Sequence, residues 1–316
     1  MKPFAFVFPG QGSQSVGMLD GWGDHPVVVQ TLMEASQALG EDVAKLIHDG
    51  PKEALALTTN TQPVMLIAGV AAYRVWMAEV GIAPAAVAGH SLGEYAALVA
   101  AGALTLAQAA PLVRLRAQAM QEAVPAGQGA MAAILGMDAQ RVRALCEEVT
   151  QAFGASSGEV VEAVNFNDPT QTVIAGSKAA VDKACETLKA NGAKRALPLP
   201  VSAPFHSSLM RPAAEKLREH LASTAFASPH IPLVNNVDVR VEQDAAGLRD
   251  ALYRQAFGPV RWVECMLALK ARGLTTVVEC GPGKVLAGLT KRIDAEMTGL
   301  ALFDPASLND VKGQLA

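Results

Sequence analysis

The sequence predicts an α/β fold, with a core built on a mostly parallel sheet and a smaller domain inserted into it. Three observations carry this. Short apolar runs alternate with stretches of helical periodicity in both halves of the chain. Glycine-rich turns close those runs, at Pro9-Gly10-Gln11-Gly12, Gly89-His90-Ser91-Leu92-Gly93 and Gly281-Pro282-Gly283. Between residues 128 and 201 the rhythm changes to strand, helix, two strands, helix, strand, the split βαβ order of ferredoxin-like folds.

Taken in order, Phe4–Phe8 reads as a buried strand, and Val27–Leu39 and Gln62–Val80 as helices. Ala85–Ala88 is a short strand; Leu92–Ala101 and Leu106–Glu122 follow as helices. In the inserted stretch Ala130–Leu135 is a strand, and Asp138 caps a helix running to Phe153. Val160–Asn165 and Gln171–Ala175 pair across a turn at Asn167-Asp168-Pro169, Ser177–Ala190 is a helix, and Ala193–Leu199 is a strand. The larger fold resumes with helices at Ser208–Leu221, Ala245–Phe257, Val260–Ala271 and Lys284–Ile293, and strands at Pro232–Asn236 and Thr275–Cys280. The core thus spans 1–127 and 202–316, and the inserted domain 128–201.

With 316 residues, 51% of them hydrophobic, the chain can bury a large core. A net charge of only −4 and an aromatic share of 5% disfavour a nucleic-acid partner. The four cysteines, Cys146, Cys185, Cys265 and Cys280, show no metal or redox spacing and read as reduced, mostly buried thiols. Phe4–Phe8 is too short for a signal-peptide core, and Gly102, Thr105 and Gln108 break the apolar stretch from Ala96 to Val113. The expectation is a cytoplasmic monomer with no membrane span.

Gly89-His90-Ser91-Leu92-Gly93, between a strand and a helix, has the form of a nucleophile elbow. Its glycines suit a sharp turn with backbone passing close by. The turn lifts Ser91 into a cleft, aims the Leu92 N–H at a developing oxyanion, and sets a helix N-terminus beneath both. A serine needs a base. His90 reads as a packing residue turned from Ser91, and His25, His48, His220 and His230 as solvated surface. His206, in Ser202-Ala203-Pro204-Phe205-His206-Ser207 where the chain leaves the insertion, is the candidate. Arg114 and Arg116, two apart on one helix, lie on different faces, so one can turn inward; pattern alone would have it hold the helix by a salt bridge.

Phe8-Pro9-Gly10-Gln11-Gly12-Ser13-Gln14, the elbow continued by Glu94-Tyr95, Arg114-Leu115-Arg116-Ala117-Gln118-Ala119-Met120, Pro204-Phe205-His206 and Gly281-Pro282-Gly283 occur in this order. Together they closely resemble malonyl-CoA:acyl carrier protein transacylases of bacterial fatty-acid synthesis, up to about Ile293. The resemblance implies an α/β-hydrolase-like core with a ferredoxin-like insertion. It implies Ser91 as nucleophile and His206 as base, the latter oriented by the backbone carbonyl of Gln255. The oxyanion hole would be the N–H groups of Gln11 and Leu92. Arg116 would bind the malonyl carboxylate, with Gln62 and Phe205 beside the acyl group and Phe205 disfavouring methylmalonyl. No metal or redox cofactor is implied; the partners are malonyl-CoA and holo acyl carrier protein, with Lys194, Arg195, Lys284, Lys291 and Arg292 as candidate docking cations. The tail beyond about Thr298 matches nothing in the family pattern. A serine thioesterase or hydrolase on the same fold, with Asp138 or Asp168 as acid partner, stays open, as do an acyltransferase of polyketide synthesis and a non-enzymatic carrier-docking module.

Overall fold

The computed structural model describes residues 1–201 and 203–316; Ser202, at the expected inner boundary of the inserted domain, lies outside the described residues. The chain opens with β1 (Ala5–Phe8), α1 (Pro26–Leu39), α2 (Val43–Asp49), α3 (Lys52–Ala56) and α4 (Thr58–Glu79). Next come β2 (Ala86–Gly89), α5 (Gly93–Ala100) and α6 (Leu106–Glu122). The middle segment holds β3 (Gly129–Leu135), α7 (Ala139–Phe153), β4 (Val161–Asp168), β5 (Gln171–Ser177), α8 (Lys178–Ala190) and β6 (Arg195–Pro198). After it run α9 (Arg211–Ser223), β7 (Leu233–Val234), α10 (Ala245–Gln255), α11 (Trp262–Ala271), β8 (Thr276–Cys280), α12 (Val285–Ile293), β9 (Thr298–Leu302) and α13 (Pro305–Leu315).

The chain is a mixed α/β protein with two sheets. One is parallel, in the order β7-β2-β1-β8-β9; the other is antiparallel, in the order β4-β5-β3-β6. β1 lies at the centre of the parallel sheet and is buried on both faces, which explains its unbroken apolar run. Phe4, Phe6 and Phe8 point into the core that α4 and α6 cover, where the Trp76 ring meets Phe4 and Phe6 edge-on at 5.5 and 5.6 Å. Ala5 and Val7 face the opposite core of Trp262, Met266 and Leu286. A third core seals α7 and α8 onto the antiparallel sheet.

Several expectations need correcting. The C-terminal tail is part of the fold: β9 extends the sheet beside β8, and Leu308, Val311 and Leu315 of α13 join the main core. β4 runs on through Asp168, so the hairpin turn is shorter than Asn167-Asp168-Pro169. α4 begins at Thr58, a turn before Gln62, and carries Pro63 inside it. Proline cannot donate to the carbonyl four residues back. That carbonyl, Thr59 O, instead accepts from Arg114 Nη1 at 2.5 Å, so the helix passes through the proline without an orphaned acceptor.

Candidate active site

The cleft lies beyond the C-terminal ends of β1 and β2, where ligands of open parallel sheets bind. Gln11, Gln62, His90, Ser91, Leu92, Arg116, Phe205 and His206 line it, in about 120 Å³ of space. The glycines of the elbow are steric necessities. A Cβ on Gly89 would meet Gly93 C and O at 2.0 Å, and one on Gly93 would meet Phe8 O at 2.1 Å. Ser91 between them has φ 51°, a left-handed conformation that costs a non-glycine residue strain.

Ser91 Oγ lies 2.6 Å from His206 Nε2. His206 Nδ1 faces two main-chain oxygens, Gln255 O at 2.9 Å and Gly258 O at 3.2 Å. Carbonyls only accept, so Nδ1 carries the proton and Nε2 presents its lone pair to the serine. Burial, and next the charge of Arg116, push His206 down to about 3, against the backbone hydrogen bond that favours the cation. The ring is therefore neutral and ready to accept a proton. Neither expected rival acid reaches it. Asp138 caps α7, and Asp168 accepts from Thr170 N at 2.8 Å and sits 3.4 Å from Arg292 Nε.

Arg116 is 1% exposed. Nη1 donates to Gln62 Oε1 at 2.6 Å; Nη2 donates to Gln255 Oε1 at 3.1 Å and to Ser91 Oγ at 3.2 Å. Its guanidinium carbon is 5.6 Å from the Tyr95 ring centroid. Among the described residues no carboxylate forms a salt bridge with it, so the helix-holding salt bridge that pattern alone suggested is absent. Arg114 instead turns outward to Glu41, Asn60 and Thr59. A buried cation with only neutral hydrogen-bond partners is costly unless an anion arrives.

The structure brings Gln11, Gln62, Leu92, Phe205 and Gln255 to the same place. Gln62 grips Arg116, and Gln255 does two things at once: its carbonyl holds His206 while its side chain bridges Arg116 and Ser91 O. His90 was misread in part. It packs on Trp262 at 5.4 Å, yet it also lines the cleft, its Nε2 2.8 Å from Asn167 Oδ1 of β4. His25 caps α1, while His48, His220 and His230 are exposed. Three residues escaped sequence reasoning. Glu94 is 1% exposed, and burial pushes its carboxyl up to about 7. Asn236 is fully buried against the elbow, and Asn165 lines the cleft with its Oδ1 unpartnered. The available signal was polarity in an apolar setting: Glu94 opens an apolar helix, and Asn165 and Asn236 interrupt or end apolar runs. The four cysteines are free, three of them buried and Cys185 half-buried.

A serine poised against a neutral histidine, with a buried cation at the same oxygen, is the equipment of an enzyme that carries an acyl group on serine. The chain belongs to the acyl transferase domain family, whose pattern matches residues 5–297. It is 53% identical to a malonyl CoA-acyl carrier protein transacylase of Escherichia coli K12 over 309 residues, 98% of each chain. It is 63% identical to the solved acyl-carrier-protein S-malonyltransferase of Burkholderia pseudomallei 1710b, at a TM-score of 0.94 over 98% of this chain and 99% of that one. It is also 50% identical, at a TM-score of 0.95 over 99% and 100%, to a malonyl-transacylase solved with its type II PKS acyl-carrier protein. The resemblance read from the ordered motifs thus holds across nearly the whole chain. Among the described residues no cluster of side chains could hold a metal ion, and no helix is long and apolar enough to cross a membrane.

Proposed function

We propose that the protein transfers the malonyl group of malonyl-CoA to the phosphopantetheine thiol of acyl carrier protein, supplying extender units for fatty-acid synthesis. The observation that carries this reading is Arg116: a buried cation without a carboxylate partner, 3.2 Å from the serine that would bear the acyl group. An acyl group ending in a carboxylate supplies the missing anion, and a guanidinium can take it through two parallel hydrogen bonds.

In the proposed sequence Ser91 Oγ attacks the thioester carbon as His206 Nε2 takes its proton. The N–H groups of Leu92 and Gln11, neither with a protein acceptor among the described residues, receive the oxyanion. Ser91 N–H cannot serve, because Asn236 Oδ1 holds it at 2.6 Å. His206 then protonates the departing thiolate. The carrier's pantetheine thiol attacks the malonyl-serine ester with His206 as base again, a ping-pong route. A malonyl carboxylate on Arg116 cancels the charge that helps hold His206 down, so the correct acyl group raises the basicity of its own catalyst. An acetyl group leaves that charge in place. Phe205 lines the cleft beside His206, and we assign it the space around the acyl α-carbon.

The reading includes the architecture: an α/β-hydrolase-like core of 1–127 and 202–316 with a ferredoxin-like subdomain at 128–201. The strand order β4-β5-β3-β6 supports the latter. It also takes the protein as a cytoplasmic monomer, in keeping with four unpaired thiols. Every step uses groups of this chain, with no cofactor. The similarity to a transacylase solved with a polyketide carrier favours testing that pathway's carriers beside fatty-acid ones. Lys194, Arg195, Lys284, Lys291 and Arg292 are all exposed and remain the candidate docking cations. Arg292 already sits near Asp168, and Lys284 lies over the Phe303 ring. Intact-mass analysis after mixing with malonyl-CoA should show one malonyl adduct that disappears on adding a holo carrier protein. No adduct, or release only to water, would reject the reading in favour of a hydrolase.

A further inference from the structure

The strain at Ser91 needs something to hold it, and the residue that does so comes from a different strand. Asn236 lies two residues past β7, which pairs with β2 through Val87↔Leu233 and Ala88↔Val234. That register carries Asn236 alongside the elbow. Its Oδ1 accepts from Ser91 N at 2.6 Å, and its Nδ2 donates to Gly89 O at 2.6 Å. Its own N–H donates to Glu94 Oε2 at 2.8 Å, and its carbonyl accepts from Arg261 N at 3.2 Å. The residue is 0% exposed, so no water replaces these bonds. One planar amide therefore spans the turn from Gly89 to Ser91 and is fastened to α5 through Glu94.

We infer that Asn236 is a positioning residue for acyl transfer: its side-chain amide locks the left-handed backbone of Ser91 and occupies the Ser91 N–H, leaving the Leu92 N–H to face the oxyanion. Gln255 Nε2, donating to Ser91 O at 3.1 Å, holds the next peptide unit along. Truncating Asn236 leaves a buried donor and a buried acceptor unpaired and frees the turn to relax toward negative φ. A shift of that kind misaims Oγ from His206 and loosens its contact with Arg116 Nη2, while Gln62 and Gln255 still hold the guanidinium, so the chemical step suffers far more than substrate affinity. The inference rests on the acyl-transfer reading above.

The test compares Asn236→Ala and Asn236→Asp with the wild type by rapid-quench acylation from malonyl-CoA. Asn236→Ala should lower the acylation rate constant about 10²-fold, the size expected for a misplaced reacting group, with the malonyl-CoA dissociation constant within about threefold. Asn236→Asp keeps the shape and the acceptor for Ser91 N–H, but donates to Gly89 O only when protonated. The titratable and charged residues around this position are Glu94, which bonds Asn236 N, Arg261, whose N–H bonds its carbonyl, and Cys265 on the neighbouring Asn235 carbonyl, with Asp238 and Arg116 acting on Glu94. A second carboxyl beside Glu94 favours the protonated form. The ratio of Asn236→Asp to wild-type rates should therefore climb several-fold from pH 8 to pH 6, a recovery a merely structural role would not give. Wild-type acylation rates in Asn236→Ala, or a pH-independent ratio for Asn236→Asp should Asn236→Ala not fold, would overturn the inference. If the wild type takes no malonyl group, the functional reading fails instead. Sulfonylation of Ser91 by phenylmethanesulfonyl fluoride, which needs only a poised serine, then decides the role of Asn236 by the same rate comparison.

Discussion

β2 and β8 flank β1 on either side, and each runs through a glycine-rich turn into a helix, α5 or α12. The two helix starts are opposite in how their N–H groups are used. At α12, the strand's own Glu279 turns back onto the helix and accepts from Ala287 N at 2.8 Å, with the N–H groups of Leu286 and Val285 also favouring its charge. That end is filled. At α5, β2 has Ala88 at the position level with Glu279, and the nearest carboxylate, Glu94 of the helix's first turn, is drawn aside to Asn236 N. The N–H groups of Gly93, Glu94 and Tyr95 go to carbonyls of His90, Ser91 and Leu92, and Ser91 N goes to Asn236. Leu92 N is left without a protein acceptor among the described residues, and Leu92 lines the cleft. A helix N-terminus becomes a reaction site when the protein withholds its own anion from it.

The largest expected effect is at the open end. Ser91→Ala should cut malonyl loading by at least about 10³-fold, read as the adduct in intact mass. Adduct forming at the wild-type rate would place the acyl group elsewhere. Next is the cation beside it. Arg116→Ala should lower malonyl transfer about 10²-fold or more and raise acetyl relative to malonyl transfer. An unchanged preference for malonyl would make Arg116 a structural residue.

The closed end should respond in stability and leave chemistry alone. Burial pushes Glu279 up to about 7, above the ordinary 4.5. A carboxyl with a raised folded pKa contributes fully below its unfolded pKa, and that contribution is lost as pH rises through the folded one. Between pH 4.5 and 7 the stability of the wild type, measured against Glu279→Gln, should therefore decline by on the order of 2–3 kcal/mol. Malonyl loading by Glu279→Gln should stay within about twofold; a large loss would mean that α12 also serves the site. The smallest expected change is none. With His206 held down to about 3, the base stays neutral, and acylation by malonyl-CoA should show no loss of rate at the usual histidine midpoint of about 6.5. A limb centred there that persists in Glu94→Gln, which removes the carboxyl held near 7 behind Asn236, would show that His206 in solution is wetter than its buried geometry.

Much of this was legible because it is local. The strand–turn–helix around Ser91 follows from glycine spacing and apolar period, and α6 runs over Leu106–Glu122 as its periodicity predicts. The elements that went unread lack a local signature. α2 and α3 are short, and β9 with α13 follows no family motif. α4 was truncated because proline reads as a helix start, and nothing nearby in sequence announces that Arg114 will satisfy Thr59 O. At the site, Ser91, His206 and Arg116 were found through ordered motifs. Asn236 and Glu94 were not, since an asparagine after a short strand and a glutamate in a first helical turn ordinarily cap or solvate.

The sequence by itself determined the alternation of strand and helix, the change of rhythm between residues 128 and 201, and a serine raised on a glycine turn, because these depend on backbone sterics and on residue spacing over a few turns. It also narrowed the candidate base to one histidine and the inward arginine to one of two. Only the tertiary structure decided what those groups are. His206 is neutral because it is buried beside Arg116 and held by two carbonyls, and Arg116 has no salt bridge among the described residues because its hydrogen-bond partners are two amides and a hydroxyl. Charge state and hydrogen-bond partner are set by what comes near in space, and the side chains that bond Ser91 lie 25 to 164 residues further along the chain.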